Sequence, residues 1–284
     1  MTIGEILLAT DFSPASSAAL LVAARLARIF SARVVVIYVF EYSRRPHLMK
    51  VDWMIEGIRA DLQDRMKETL AELRKLGVEA QERWVEDGAA ALDIPRLVGS
   101  STDSMLVLGT HAAAGVDRFV LGSTAEEILR NIACPVVTVG PHVAHGADAE
   151  PDLRRILYAT DFTESSLGAL KFAALFSQSK DAVLRVLHVA DRSGENAPAE
   201  PERFAAIRAD LEALDSLWKD RPVEYLTVLG RSVSQAITKE AERYGADLIV
   251  LGIRRAPAYA TRLRTSIAFQ VIAAAPCAVL TVSA

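Results

Sequence analysis

Short runs of apolar residues alternate along the chain with longer stretches in which apolar residues recur at helical spacing. In the first half this pattern predicts strands at 3–9, 33–39, 79–85, 104–109 and 135–139, and helices at 14–30, 51–76, 89–100 and 123–132. The second half repeats the order, with strands predicted near 155–159, 183–189, 223–228, 247–251 and 278–282. The pattern therefore predicts strand and helix in strict alternation, twice.

Several predicted strands are almost continuously apolar, such as "RVVVIYV" at 33–39 and "MLVLG" at 105–109. Strands of this kind are buried on both faces, which is typical of a parallel sheet covered by helices. We therefore expect an α/β fold made of two tandem open five-stranded parallel sheets with helices on both faces. In such sheets ligands bind outside the carboxyl ends of the strands, where the strand order reverses.

The two halves of the sequence are an internal repeat of one another. "ILLATDFSPASSAAL" begins at Ile6 and "ILYATDFTESSLGAL" at Ile156, and "MLVLGT" from Met105 is matched by "LIVLGI" from Leu248. The segment "PHVAHGADAEP" between the repeats contains two prolines and no periodicity, which is typical of a linker. We expect one domain at 1–141 and a second at 152–284.

Each repeat opens with the letters "ATDF" and then a hydroxyl residue, Ser13 or Thr163. A side-chain oxygen at this point can accept from the unpaired amides of a helix that follows a strand. Pro14 suits the first turn of that helix, where its missing N–H is not needed. The motif therefore predicts a strand end followed by a capped helix.

Composition narrows the range of partners. The formal net charge is −4, so no overall positive field attracts nucleic acid or an anionic membrane. The start of the sequence lacks a signal-peptide pattern and no apolar run is long enough to span a bilayer, so we expect a cytoplasmic protein. Cys134 and Cys277 occupy matching positions and are expected to be buried rather than paired in a disulfide.

The segment from Leu108 to Val136 carries the most chemical information. It leads from a strand end through small residues to Gly122, Ser123 and Thr124, where a helix is predicted to begin. Small residues and a helix N-terminus can bind a phosphate through backbone N–H groups, but a Ser before a helix is also an ordinary cap. Both interpretations are open on this segment alone. P-loop, dinucleotide-binding and zinc-hydrolase motifs are absent from the sequence, and we assign no catalytic or metal-binding residue.

Three segments in order, "ATDFS", "GTH" to "GST", and "ACPVVTV", resemble the universal stress protein family, and the duplication resembles its tandem-domain members. The resemblance covers essentially the whole chain. It implies a Rossmann-like, adenine nucleotide alpha hydrolase-like fold. In the nucleotide-binding branch of the family it also implies an ATP site marked by G-x2-G-x9-G-[ST].

Transferred by position, the glycines of this motif fall on Gly109 and Gly122, with Ser123 last, while Ala112 stands where the middle glycine is expected. Asp11 matches the acidic residue beside the adenosine, and Val39 matches the strand residue whose backbone meets the adenine. The resemblance implies ATP, with or without Mg²⁺, as the ligand. The implied binding residues are Ala9, Thr10, Asp11, Val39, Gly109, Thr110, His111, Ala112, Gly122, Ser123 and Thr124.

The second half departs from the motif. Gly252 is retained, but Arg255 replaces the middle glycine, and Thr265 with Ser266 replaces the final pair. A β-branched Thr obstructs close approach of the backbone to a phosphate, so we expect one nucleotide per chain, bound in the first half. Arg254 and the arginines that follow it form either a solvated loop or an anion contact made by side chains.

Two functions from different classes follow. The leading hypothesis is a stress-response sensor or regulator that binds ATP and acts through its conformation or a protein partner. The alternative is an interaction or chaperone-like stress protein with the same fold and no nucleotide. An enzyme is the weakest hypothesis, with weak ATP hydrolysis as its upper limit. We also expect the halves to pair as a pseudo-dimer through "VVTV" and "AVLTV", with a homodimer also open, because an apolar closing strand leaves an edge that proteins cover.

Overall fold

The computed structural model describes residues 2–41, 52–99, 103–110, 122–143, 153–177, 181–190, 200–215, 218, 220–254 and 266–283. The chain divides into two compact units. The first contains Met1–His111 and Gly122–Val139, and the second contains the chain from Gly140 onward.

The first unit contains five strands and four helices in alternation. The strands are β1 (Glu5–Ala9), β2 (Arg33–Phe40), β3 (Ala80–Glu86), β4 (Ser104–Gly109) and β5 (Val136–Val139). The helices are α1 (Pro14–Phe30), α2 (Asp52–Lys75), α3 (Ala90–Val98) and α4 (Ser123–Asn131). The strands lie in the order β3-β2-β1-β4-β5, and each neighbouring pair is parallel.

The second unit repeats this arrangement. Its strands are β6 (Arg155–Thr160), β7 (Val183–Ala190), β8 (Val223–Leu229), β9 (Leu248–Ile253) and β10 (Ala278–Ser283). Its helices are α5 (Glu164–Phe176), α6 (Glu200–Leu214), α7 (Val233–Tyr244) and α8 (Ile267–Ala274). The order β8-β7-β6-β9-β10 corresponds strand by strand to the first unit, again with parallel pairs.

The predicted fold class is confirmed: each unit is an open five-stranded parallel sheet with helices. Helix α1 shows why the sequence located its elements well. Ser13 caps the helix by accepting from the Ser16 amide, Pro14 occupies the first turn, and Ser31 ends the helix in the left-handed conformation. The observed bounds match the predicted ones, because these signals are local.

The strand order indicates where on each sheet a ligand would bind. The chain builds outward from β1 to β3, then returns to add β4 on the other side of β1. The order therefore reverses between β1 and β4 in the first unit and between β6 and β9 in the second, and ligands of such sheets bind at that point.

The core consists of the central strands and the helices packed on them. Met105, Leu106 and Val107 of β4 have no exposed surface, as the continuous apolar run predicted. Both cysteines are buried and unpaired, and burial raises the pKa of each thiol to about 12. In the part of the chain that the structure describes, no helix combines the length and the apolar character needed to cross a membrane.

Candidate functional site

The "ATDF" motif forms a tight turn at the carboxyl end of β1. The Thr10 hydroxyl accepts from the Phe12 amide at 3.0 Å. The Asp11 Oδ1 accepts from the Ser13 amide at 3.0 Å and from the Ser16 hydroxyl at 2.5 Å. These bonds connect the strand end to the first turn of α1 and hold the Asp11 carboxylate at the edge of the sheet.

Phe12 adopts a backbone conformation that is unfavourable for its residue type, with φ of 59°. Its ring stacks on Tyr38 with 4.9 Å between centroids. In the second unit Phe162 has φ of 60° and packs against His188 at 4.6 Å. The same strained turn is therefore built twice, which gives "ATDF" a structural reason to recur in both units.

Gly109, the first glycine of the expected motif, is required by packing. A Cβ at this position would overlap the carbonyl of Ala15, because the end of β4 passes directly beside the start of α1. Gly252 is in the same situation, since a Cβ there would overlap the carbonyl of Ser165. This glycine is shared by both units for the close approach of strand and helix, so its retention alone does not indicate a phosphate site.

Gly122 is different. It is the N-cap of α4 with φ of −59°, a conformation open to any residue, and a Cβ built on it meets none of the described atoms within 4 Å. No side chain of a described residue caps α4. The described residues therefore give no packing reason for glycine here, while the N-terminus of a helix can bind an anion through its first amides.

Between these elements lies a cavity of about 270 Å³ at the point where the strand order reverses. Eight of the eleven predicted binding residues line it: Ala9, Thr10, Asp11, Gly109, Thr110, Gly122, Ser123 and Thr124. Val39 does not line it, although it lies near the end of β2. His111 and Ala112 lie outside the described residues.

The cavity also contains residues that the sequence did not single out: Ser16, Ala90, Ile94, Leu108, Ala125 and Ile128. Ala90 and Ile94 belong to α3, which sequence patterns placed as a helix without indicating what it packs against. Only the fold brings α3 beside the ends of β1 and β4. Ser16 could have been predicted from the sequence, because it lies in the first helical turn after Asp11.

The two helix N-termini beside this cavity differ in their charge environment. The first amides of α3 already have carboxylate partners, since Ala89 donates to Asp93 Oδ2 at 2.6 Å and Ala90 donates to Glu41 Oε1 at 2.5 Å. An added anion would be repelled from that end. At the start of α4 no described side chain caps the helix, and the acidic residue of its first turn, Glu126, forms an ion pair with Arg130, so an anion is better accommodated there.

The second unit has a matching cavity of about 280 Å³ between the ends of β6 and β9. Asp161 occupies the place of Asp11, and its Oδ1 accepts from both the amide and the hydroxyl of Thr163. Burial alone would raise the pKa of Asp161, but hydrogen bonds from Thr163 and Ser166 outweigh it, so the net pKa is below the usual value. This carboxylate is therefore an ionised acceptor at neutral pH.

Neither cavity presents a metal site in its described part. Across the described residues, no group of three or more His, Cys, Asp or Glu side chains is placed to hold a metal ion.

Comparison with known proteins gives a consistent result. The sequence model of the universal stress protein family matches residues 2–140 and 152–283. Universal stress protein MJ0531 from Methanocaldococcus jannaschii is 31% identical over 140 residues, which is 48% of this chain and 81% of that protein.

Solved structures agree in fold along the whole chain. A universal stress protein from Archaeoglobus fulgidus matches 98% of both chains with a TM-score of 0.78 and 20% identity. Protein PA1789 from Pseudomonas aeruginosa matches 99% of this chain and 92% of its own with a TM-score of 0.60 and 17% identity. With both repeats matched by one family model and the tandem fold found in a solved member, the chain belongs to the universal stress protein family.

Proposed function

We propose that the first unit binds ATP and that the protein is a cytoplasmic stress-response sensor or regulator whose output is a change of conformation or of partner. One observation carries the proposal. The N-terminus of α4, which begins after Gly122 and is capped by no described side chain, lines the same cavity as Asp11. These two features suit the two polar parts of a nucleotide, its phosphates and its ribose hydroxyls.

The phosphates belong at α4. Its first amides and the Ser123 and Thr124 side chains border the cavity, and the positive end of the helix dipole favours negative charge. Glycine at the cap places no side chain between the α4 backbone and a phosphate, so the two can approach closely.

The ribose belongs at Asp11. Its Oδ1 accepts from the Ser13 amide and the Ser16 hydroxyl, which fixes the carboxyl group at the cavity, and a carboxyl oxygen is a suitable acceptor for ligand hydroxyls. The adenine is expected next to Val39, as the family resemblance implies. The hydroxyl of Thr110 is directed to the Val139 carbonyl, so Thr110 supports the loop more than it serves a ligand.

The proposal treats ATP as a bound signal. Among the described residues that line the first cavity, Asp11 is the single titratable side chain, and it is hydrogen-bonded to the turn that holds it. General acid–base chemistry needs a group free to exchange a proton near the reacting atoms. We therefore propose weak ATP hydrolysis as the upper limit of activity.

Gly122→Val tests the proposal. We expect the variant to weaken ATP binding at least about tenfold, equivalent to about 1.4 kcal/mol, because the added side chain obstructs the phosphates. Isothermal titration calorimetry on the full chain measures this, with Gly122→Ala as a smaller matched change. Because a Cβ at Gly122 meets no described atom within 4 Å, we expect an unchanged thermal unfolding midpoint in both variants. An unchanged affinity in a folded Gly122→Val protein would reject the proposal.

A nucleotide-independent interaction role is the second candidate, favoured by exposed apolar side chains on one strand. Leu229 is 69% exposed and Tyr225 is 36% exposed on β8 of the second unit. Exposed apolar residues on an edge can contact a partner. If nucleotide-free protein suppresses heat-induced aggregation of a client enzyme, and Leu229→Ser removes the effect, this role is supported; no suppression rejects it.

A further inference from the structure

One serine contacts both the backbone and the side chain of Asp11. The Ser16 Oγ accepts from the Asp11 amide at 3.1 Å and donates to the Asp11 Oδ1 at 2.5 Å. A serine hydroxyl has a single proton, so the donor of Ser16 is committed to the carboxylate. Ser16 lines the first cavity, but its proton serves Asp11 and not a ligand.

These two bonds hold an exposed carboxylate in one orientation. Asp11 is exposed, whereas Ser16 is 7% exposed and lies in the first turn of α1. Because one oxygen atom bonds both the Asp11 amide and the Asp11 Oδ1, the side-chain torsions of Asp11 are fixed relative to its backbone. A side chain without such a partner loses rotamer freedom when a ligand binds, which weakens binding. The orientation of Asp11 is therefore fixed in the protein before a ligand binds.

The second unit holds its carboxylate differently. The Asp161 Oδ1 accepts from the Thr163 hydroxyl at 2.6 Å, and Thr163 belongs to the half-buried turn. The Ser166 hydroxyl, which corresponds to that of Ser16, donates to the Thr163 carbonyl at 2.9 Å and lies 3.0 Å from the Thr160 Oγ1. The shortest hydroxyl contact of the carboxylate thus comes from the turn in the second unit and from the helix in the first.

We propose that Ser16 is the positioning residue of the first cavity and that, by holding Asp11, it makes the site selective for nucleotides with free ribose hydroxyls. The inference rests on the proposed ATP site and adds a ligand class to it: ribonucleotides are preferred to nucleotides that lack the ribose hydroxyls. Ser16 acts through Asp11, whose carboxyl group accepts from the ribose.

This selectivity follows from the fixed position of the acceptor. When a ligand without ribose hydroxyls binds, a carboxylate held by Ser16 stays beside the ribose and has no donor from the ligand, which costs free energy. A carboxylate that is free to rotate would turn back to water and lose less. Ser16 therefore increases the affinity for a ribose that carries its hydroxyls and increases the cost of their absence.

Calorimetric titration of the full chain with ATP and with 2′,3′-dideoxyATP measures this selectivity. We expect the parent protein to bind ATP at least about tenfold more tightly, as a hydrogen bond to a charged acceptor predicts. Ser16→Ala should weaken ATP binding about three- to fivefold and change the affinity for 2′,3′-dideoxyATP less than about twofold, so the ratio of the two affinities should fall to about threefold or below. A general loss of structure would weaken both ligands equally.

Two other serines provide matched controls. Ser17→Ala removes the next hydroxyl of α1, which donates to the Ser13 carbonyl, and Ser166→Ala removes the corresponding hydroxyl of the second unit. Both variants should retain the affinity ratio of the parent protein. Asp11→Ala keeps Ser16 in place and should abolish the preference for ATP, because the acceptor itself is removed.

A ratio that falls in Ser16→Ala and in Asp11→Ala, but in neither control, supports the inference. A ratio unchanged by Ser16→Ala, or retained in Asp11→Ala, overturns it, since the selectivity would then not depend on a carboxylate held by Ser16. Equal affinity of the parent protein for both ligands also overturns it and leaves ATP binding intact. Failure of the parent protein to bind ATP rejects the proposed function, and this inference with it.

Discussion

The two cavities occupy the same place in two copies of one fold and have nearly the same volume, yet their linings differ. The first has a helix start lined by Gly122, Ser123 and Thr124, and the second has Ile267 and Arg254. The cavity itself is a product of the reversed strand order, which both units share. The difference between the cavities is concentrated in a few residues after the strands and at the start of one helix.

The glycines show the difference between the two units more clearly. Gly109 and Gly252 are retained in both units because strand and helix backbones pass too closely for a side chain. Gly122 is present in one unit alone and has no packing constraint among the described atoms. The glycine that differs between the units is thus more informative about a ligand than the one they share.

The largest expected effect concerns the shared glycine. Gly109→Ala and Gly252→Ala should each lower the free energy of unfolding by about 3 kcal/mol or more, because the added methyl overlaps a helix carbonyl. Chemical denaturation of the full chain measures the loss. Gly122→Ala is the control and should stay within about 0.5 kcal/mol of the parent. A neutral Gly109→Ala would show that the end of β4 can move away from α1.

An intermediate effect should distinguish the two "ATDF" turns. Thr10→Val removes the acceptor of the Phe12 amide and should cost about 1 kcal/mol. Thr160→Val should cost about 2 kcal/mol, because Thr160 is buried and bonds both the Phe162 amide and the Ser166 hydroxyl. Denaturation with urea gives both values. Equal losses would mean that the extra bond to Ser166 contributes nothing.

The smallest expected effect concerns the lost motif. We predict that Thr265→Gly leaves ATP stoichiometry near one per chain and changes its affinity less than about twofold. Ser266, the N-cap of α8, has φ of −52°, a conformation that does not require glycine. The variant also leaves Ile267 in the cavity lining, where the first unit has Thr124. Equilibrium dialysis with labelled ATP measures the stoichiometry. A second ATP site in the variant would show that Thr265 alone prevents ATP binding in the second unit.

Much of the candidate site could be predicted from sequence because its residues follow strands at fixed places. Asp11 comes two residues after β1, Gly109 ends β4, and Gly122 precedes α4, all by local rules. The role of Gly109 could not be predicted. A glycine at a strand end fits a phosphate-binding turn or a close helix contact equally well, and only the position of Ala15 distinguishes them.

The second cavity also could not be predicted from the sequence. Its motif had degraded, so the sequence predicted no nucleotide in this unit and left a side-chain anion contact open. The structure shows a cavity lined by residues of α7 and α8 together with the ends of β6 and β9, and no single segment of the sequence records that arrangement.

By itself the sequence determined the alternation of strand and helix, the duplication, the capped turns and the family resemblance. These depend on apolar periodicity and on side chains that bond to amides a few residues away. The tertiary structure decided which glycine serves packing, that α3 and α7 complete the cavities, and that the aliphatic, acidic and basic residues of the second unit form one surface. Those facts join residues far apart in the chain, and their contacts exist only once the sheet and its helices have assembled.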